Sequence, residues 1–292
     1  MKYLLGFLTL ITITLWLVVF ELPDDNLHII ACDVGQGDAI LAVYKNIQIL
    51  TDGGTPNGKV VNCLNRHMPF WDREIEVVVN THPQLDHYGG LIEVLKKYKV
   101  DNFVGNALMA SANEYQVLTN EVGGSGTRVI NPTTGTSLRA GLISYDIFWP
   151  SLDFLTSEGM PALENKLSTF TSKRDPNDFS VQAILSLGNF NAILTGDIGH
   201  NVSELVLPYL PKRTVQYIKV PHHGSRYGLT PDYLNLLMPK IAVISVGKNN
   251  SYGHPTQEIL DSLKNYNIKI YRTDTDSEVE IVTDGDKIWK VK

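Results

Sequence analysis

The chain has 292 residues, 43% of them hydrophobic and 19% charged, with a formal net charge of −6. That length suits one large domain or two small ones, and that balance excludes a disordered chain. The negative charge argues against broad electrostatic capture of nucleic acid, but not against a nuclease whose bound metals add positive charge locally.

An uncharged run, YLLGFLTLITITLWLVVF, extends from Tyr3 to Phe20. As a helix it would rise about 27 Å, close to the hydrocarbon thickness of a bilayer. Lys2 precedes it and ELPDD follows, which predicts an N-in anchor over residues 1–22 with the remainder on the extracytoplasmic side of the cell membrane. A cleaved signal peptide is the rival reading, but no A-x-A-like site follows.

After Asp25 the pattern changes to short β runs. LHIIACDVG, DAILAVY and IQILTDGG read as strands, the last two joined by a tight hairpin at KN. Two cysteines, Cys32 and Cys63, make no disulfide framework, and Cys32 reads as a small core residue. EIEVVVNTH is a further strand, and GGLIEVLKKYKV has helical spacing, with Leu91, Val94, Leu95 and Tyr98 on one face. Strands are expected near Phe103, over 127–130 and over 142–149. Segment 150–178, rich in Ser, Thr, Pro and charge, reads as a surface insertion. SVQAILSLGNFNAILTGD is a hairpin turning at GNFN. Helices are expected at HNVSELVLPYL, PDYLNLLM and TQEILDSLKNYN, and strands at VQYIKV, KIAVISVG, IKIYRTD, SEVEIVTDG and KIWKVK. This mixture suits two packed sheets covered by helices over 26–292. There is no Rossmann glycine signature and no P-loop.

Several potential ligands fall at strand ends, where loops gather residues distant in sequence. THPQLDHYGG places His82, Asp86 and His87 in the pattern H-x-x-x-D-H, with Gln84 where many two-metal hydrolases carry a third ligand. Asp52 ends ILTDGG, Asp197 ends AILTGD, and His222 and His223 follow YIKV. Taken singly, an Asp before Gly-Gly is a turn residue and a His-His pair is a surface feature. Together, aspartate and imidazole are the donors that suit Zn²⁺, Mn²⁺ or Fe.

The motifs DVGQGDAI, LTDGG, THPQLDHYGG, LTGDI, KVPHHGS, SVGKNNSYGHP and YRTD occur in that order from about Leu27 onward. They resemble the metallo-β-lactamase-fold hydrolase domain of the competence protein ComEC family. The resemblance implies a four-layer αββα sandwich of the α+β class, preceded here by one transmembrane helix in place of the family's multi-span channel domain. It implies metal ligands at His82, Asp86, His87 and His223, with His223 preferred over His222, and Asp197 as the bridge between two ions. Asp52 would orient the site. Asp33, Gln36 and Asp38 fall in the glycine-rich first turn as supporting residues, Asp38 being the one best placed to touch a metal. Asn177 and Ser180 match an N-x-x-S element standing where other members carry a ligating histidine. Ser225, His254 and the free member of the pair His222/His223 are expected near the scissile phosphate.

This chain departs from the pattern at Gln84, where ComEC-like turns carry aspartate. No histidine stands between His87 and His200. One ion, Zn²⁺ or Mn²⁺, is therefore expected to be firm, on Asp86, His87, Asp197 and His223. The second is expected to be weak, on His82 and Asp197 with the Gln84 amide and Asp178 or Asp38 as candidate donors. The implied function is a membrane-tethered, metal-dependent phosphodiesterase: a DNase linked to DNA uptake and competence, with DNA as substrate and a separate channel protein as partner. Two alternatives are a same-fold hydrolase of a lactam, lactone or thioester, and a non-catalytic binding module.

Overall fold

The computed structural model describes residues 2–20, 23–160 and 164–291, and only the backbone at positions 2, 15 and 17–20. Helix α1 (Lys2–Phe20) carries the apolar run, and its side chains from Tyr3 to Thr14 are exposed. Among the described residues no helix is long and apolar enough to cross a membrane. Residues 21 and 22 of the expected anchor, and several of its side chains, lie outside the described residues.

Beyond α1 the chain builds two sheets. Strands β1 (Leu27–Ala31), β2 (Ile40–Tyr44) and β3 (Ile47–Thr51) form an antiparallel meander. Helix α2 (Lys59–His67) leads to β4 (Glu74–Asn80), which lies parallel to β3. The short α3 (Leu85–Tyr88) and α4 (Leu91–Lys97) lead to β5 (Lys99–Gly105), and α5 (Asn113–Gly124) to β6 (Arg128–Ile130), both parallel additions. The second sheet begins with β7 (Ser137–Ala140) and β8 (Ile143–Trp149); after α6 (Leu152–Ser157) come β9 (Gln182–Leu187) and β10 (Phe190–Leu194), all paired antiparallel. Helix α7 (His200–Val206), β11 (Tyr217–Lys219), α8 (Pro231–Leu237), β12 (Ile241–Ile244), α9 (Gln257–Asn265) and β13 (Lys269–Arg272) extend this sheet with parallel strands. Finally α10 (Thr273–Asp276) returns the chain to the first sheet, where β14 (Val279–Thr283) pairs with β1 and β15 (Ile288–Lys290) with β14.

The core has three apolar layers, as four stacked layers of secondary structure require. Strand periodicity explains them. In β1, Leu27, Ile29 and Ala31 face the layer between the sheets, while Ile30 faces the helices on the other side. Both faces of the central strands are covered, so the strands read as near-continuous apolar runs. Helices α2, α4 and α5 cover the first sheet through Val60, Leu64, Leu91, Val94, Leu118 and Val122. Helices α6 to α9 cover the second. Helix α8 is short and depends on its ends: the Thr230 hydroxyl accepts from Tyr233 N at 3.4 Å, and Pro231 opens the first turn.

Three expectations are corrected. Segment 150–178 is no mere surface insertion: Phe154, Leu155, Met160 and Phe170 are buried in the outer core of the second sheet. The GNFN turn is tighter than expected, because Leu187 pairs directly with Phe190 across Gly188-Asn189. Cys32 is not a free core thiol. It forms a disulfide with Cys63, Cα–Cα 5.9 Å, tying the end of β1 to α2. Strand and helix periods alone cannot reveal which of their buried faces will meet.

Candidate metal centre

The parallel strands of both sheets deliver polar residues from their carboxyl ends. Asp52 follows β3, His82 follows β4, Asp197 lies three residues beyond β10, and His223 follows β11. Asp52, His82, His87, Asp197 and His223 are all at most 2% exposed. The loops meet closely at glycines. A Cβ on Gly37, whose φ is +122°, would stand 2.1 Å from the Asp86 carbonyl oxygen; Gly196, with φ +55°, packs against Ser180 and Thr81.

Three imidazoles have one ring nitrogen tied and the other turned inward. His87 Nδ1 donates to Asp52 Oδ2 at 2.8 Å, and His223 Nδ1 to the Ser245 carbonyl at 3.0 Å. Thr81 Oγ1 donates to Asp52 Oδ2 at 2.7 Å and is left to accept from His82 Nδ1 at 2.9 Å. The network thus gives all three rings an Nδ1–H, so that in the neutral ring each Nε2 carries the lone pair a metal would take. The three Nε2 atoms are buried and without a hydrogen-bond partner. They nevertheless sit close to carboxylates: Asp197 Oδ2 is 3.2 Å from His87 Nε2 and 3.1 Å from His223 Nε2, and Asp86 Oδ2 is 3.4 Å from His223 Nε2. Buried orphaned lone pairs that converge with carboxylate oxygens are what a metal ion satisfies.

Charge supports the same conclusion. Burial and the neighbouring His87 ring hold the His82 imidazole down to about 4, so it is neutral and able to ligate at pH 7. Burial opposes charge on His87 and His223 too, but there Asp197 outweighs it, with help from Asp52 or Asp38, and both rings rise well above the ordinary range. The carboxylates thus draw positive charge onto the Nε2 atoms, where a metal ion would supply it.

Lys219, the last residue of β11, was not foreseen and stands at 1% exposure inside the cluster. Its ammonium is paired with Asp38 Oδ2, lies 3.3 Å from Asp197 Oδ1 and donates to the Gly196 carbonyl at 3.0 Å. Burial works against the charge, yet Asp38 and Asp197 raise its pKa, so the lysine is charged. With the imidazoles neutral, as ligation requires, four carboxylates, Asp38, Asp52, Asp86 and Asp197, against this one ammonium leave three negative charges, a set that fits divalent cations.

The other predicted residues divide into those at the centre and those away from it. Ser180 accepts from Asp197 N at 3.1 Å and lies 3.4 Å from His82 Nδ1, so it braces two candidate ligands. Asp38 is at the centre, 3.4 Å from His223 Nδ1, but it is held by Lys219. Asp52 holds Thr81 and His87. Asp33 is corrected: it accepts from Gly35 N and faces Lys59 Nζ at 3.5 Å, toward α2 and away from the cluster. Asp178 pairs with Arg174 at 3.7 Å and joins none of the ligand groups among the described residues. Asn177 is buried, its Oδ1 has no partner, and no hydrogen bond ties it to the cluster among the described residues.

A cavity of about 500 Å³ opens over the cluster and is lined by Gln36, Gln84, Asp86, Asp197, His222 and His254, among others. Gln84 lines this cavity and stands at the start of α3. His222 lies on the cavity side, its ring 5.7 Å from that of His254. Both histidines of the pair have left-handed backbone, φ 48° and 53°, which turns His223 inward. Ser225 lines a neighbouring cavity shared with His254. Another cleft, of about 400 Å³, lies near His28 and Arg66, away from this chemistry.

Comparison with known proteins agrees with this fold. The model of the metallo-beta-lactamase superfamily matches residues 32–248. The chain belongs to that superfamily. A metallo-beta-lactamase-fold protein, YhfI from Bacillus subtilis, superposes with a TM-score of 0.52 at 10% identity, covering 90% of this chain and 99% of that one. Among relatives, ComE operon protein 3 of Bacillus subtilis is 23% identical over 92% of this chain and 34% of its own length. Competence protein ComA of Neisseria gonorrhoeae is 25% identical over 86% of this chain and 32% of its own. The chain thus spans about a third of the length of these competence relatives. The metallo-beta-lactamase fold holds divalent metal ions and carries metal-dependent hydrolysis, and the His/Asp groups found here are of that kind.

Proposed function

We propose that the chain is an extracytoplasmic, membrane-tethered, metal-dependent phosphodiesterase: a DNase linked to DNA uptake. The observation that carries this reading is the convergence of three orphaned Nε2 atoms with Asp86 and Asp197 beneath an open cavity. His82, Asp86, His87, Asp197 and His223 would hold the ions; Asp197 falls in one ligand group with His82 and His87 and in another with Asp38 and His223. The similarity to competence proteins supports nucleic acid as the substrate. A bound divalent ion would supply water activation near neutral pH and offset charge on the reacting phosphodiester.

The chain's own residues set the rest. Lys219 and Asp38 form a fixed charge pair that holds Asp197 Oδ1, so the opposite oxygen, Oδ2, faces the imidazoles. Asp52 and Thr81 lock the tautomers of His87 and His82. Burial pushes the His222 and His254 imidazoles down, so both are neutral at pH 7. They serve as hydrogen-bonding or proton-transfer groups at the cavity wall.

Two observations support the location. The Cys32–Cys63 disulfide suits an oxidising compartment. The run from Tyr3 to Phe20 is without charge in the sequence. A separate channel protein would then carry the DNA.

The discriminating experiment compares metal-loaded enzyme on bis(p-nitrophenyl) phosphate and DNA with a lactam, a lactone and a thioester. Phosphodiester turnover alone is expected. Turnover confined to the carbonyl substrates would replace this reading with the second, and turnover of none would leave a binding module.

A further inference from the structure

Beside the cavity over the metal centre lies a second one of about 480 Å³. Tyr252 and His254 line both, so the two are neighbours across a shared aromatic wall. The Tyr252 and His254 rings are stacked, 5.9 Å apart and 24° from parallel. Tyr252 is 67% exposed. On the second cavity stands Tyr227, 48% exposed, with the Arg226 guanidinium 4.7 Å from its ring centroid and the His200 ring at 5.0 Å. Both rings thus keep much of their surface in solvent, Tyr252 with His254 against one side and Tyr227 with Arg226 and His200 as neighbours. Core packing explains neither.

The charge along this path is unlike that of a duplex-binding groove. Among the residues lining the two cavities, Arg226 is the one Lys or Arg, set against Asp86, Asp197 and Glu258. Tracking a duplex backbone takes many cations, because affinity grows with the number of phosphates neutralised. Stacking on aromatic faces needs unpaired bases and adds about 1–3 kcal/mol per base.

We infer that Tyr252 and Tyr227, the latter with Arg226, form a base-stacking platform that binds a single-stranded polynucleotide running from the metal centre into the second cavity. The platform rests on the phosphodiesterase reading for its substrate and goes beyond it in naming unpaired bases as the recognised feature. Arg226 meets a backbone phosphate or stacks with the base above Tyr227, while Tyr252 holds the base nearest the centre.

The test uses the full chain with calcium in place of a catalytic metal, and reads anisotropy of fluorescein-labelled dT12, its duplex with dA12, and an abasic oligomer of equal length. Expected are tighter binding of dT12 than of either other probe, and about tenfold weaker dT12 binding by Tyr227→Ala and by Tyr252→Ala, with Phe restoring affinity at each position. The abasic oligomer should bind wild type and both Ala variants alike. Equal affinity for dT12 and the abasic oligomer overturns the platform, as do Ala variants that weaken both probes equally, since that would mark the tyrosines as structural. The two readings fail separately. A protein that hydrolyses bis(p-nitrophenyl) phosphate but binds dT12 no better than the abasic oligomer loses the platform alone. One that binds in the expected pattern but hydrolyses no phosphodiester loses the catalytic reading alone.

Discussion

A lysine buried among carboxylates keeps its place only while its partners stay charged. Lys219→Met should therefore cost about 3 kcal/mol or more of unfolding free energy, because it strands the Asp38 carboxylate at 2% exposure. Urea titration measures this, and the loss should shrink when Mn²⁺ is present, since a nearby cation replaces the missing charge. An equal loss with and without metal would separate Lys219 from the centre. Gln84 sits on the cavity wall as a neutral donor, so Gln84→Asp should retain a second Mn²⁺ equivalent at lower free concentration. Calorimetric titration with identical stoichiometry and affinity in both proteins would show that position 84 does not face the ions. At this scale the sequence was legible where residue type and spacing already imply chemistry, as at His82, Asp86 and His87. It was silent on Lys219, whose role depends on a partner, Asp38, 181 positions away in another strand's turn. It misled at Asp33, because the tight turn through Gly35 directs that carboxylate outward.

At the scale of elements, two ties hold α2 to the first sheet. The Cys32–Cys63 disulfide closes a separation of 31 residues, and Cys32→Ser with Cys63→Ser should lower stability by roughly 3 kcal/mol through loop entropy. Chemical denaturation with and without reductant checks it. The second tie is Glu278, just ahead of β14, which accepts from Arg66 and His67 at the end of α2. Burial opposes its charge, but these partners win and bring its pKa from an ordinary 4.5 to about 2. A depressed carboxylate stabilises above its unfolded pKa and loses that contribution as pH falls through the folded one. The window is therefore pH 4.5 to 2, and the size, discounted because Arg66 is half exposed, is about 1–2 kcal/mol. Between pH 6 and pH 3, Glu278→Gln should lose less stability than wild type, and equal losses would remove Glu278 from the account. Hairpins and amphipathic helices such as α4 and α9 were legible because local period fixes them. The α2 and α5 helices and the buried part of segment 150–178 were not, because tertiary packing outweighs their polar composition.

The whole molecule gathers Asp52, His82, His87, Asp197 and His223 from two sheets onto one edge, so no single segment contains the centre. The order of motifs along the chain foretold the αββα architecture. It could not show that the imidazoles would share one tautomer, which arises from Asp52, Thr81 and the Ser245 carbonyl meeting them in space. The central claim is that this edge is a metal-dependent phosphodiesterase. Its most direct test is to strip the full chain with chelator, restore Mn²⁺ or Zn²⁺ stepwise, and follow both bound metal and cleavage of a fluorophore–quencher oligonucleotide in wild type and Asp197→Ala. The account predicts no cleavage without metal, recovery that follows occupancy, and loss of both metal and at least about 10³-fold of activity in the variant. Cleavage that persists in chelator or in Asp197→Ala, or a fully metal-loaded wild type that cleaves nothing, would contradict it.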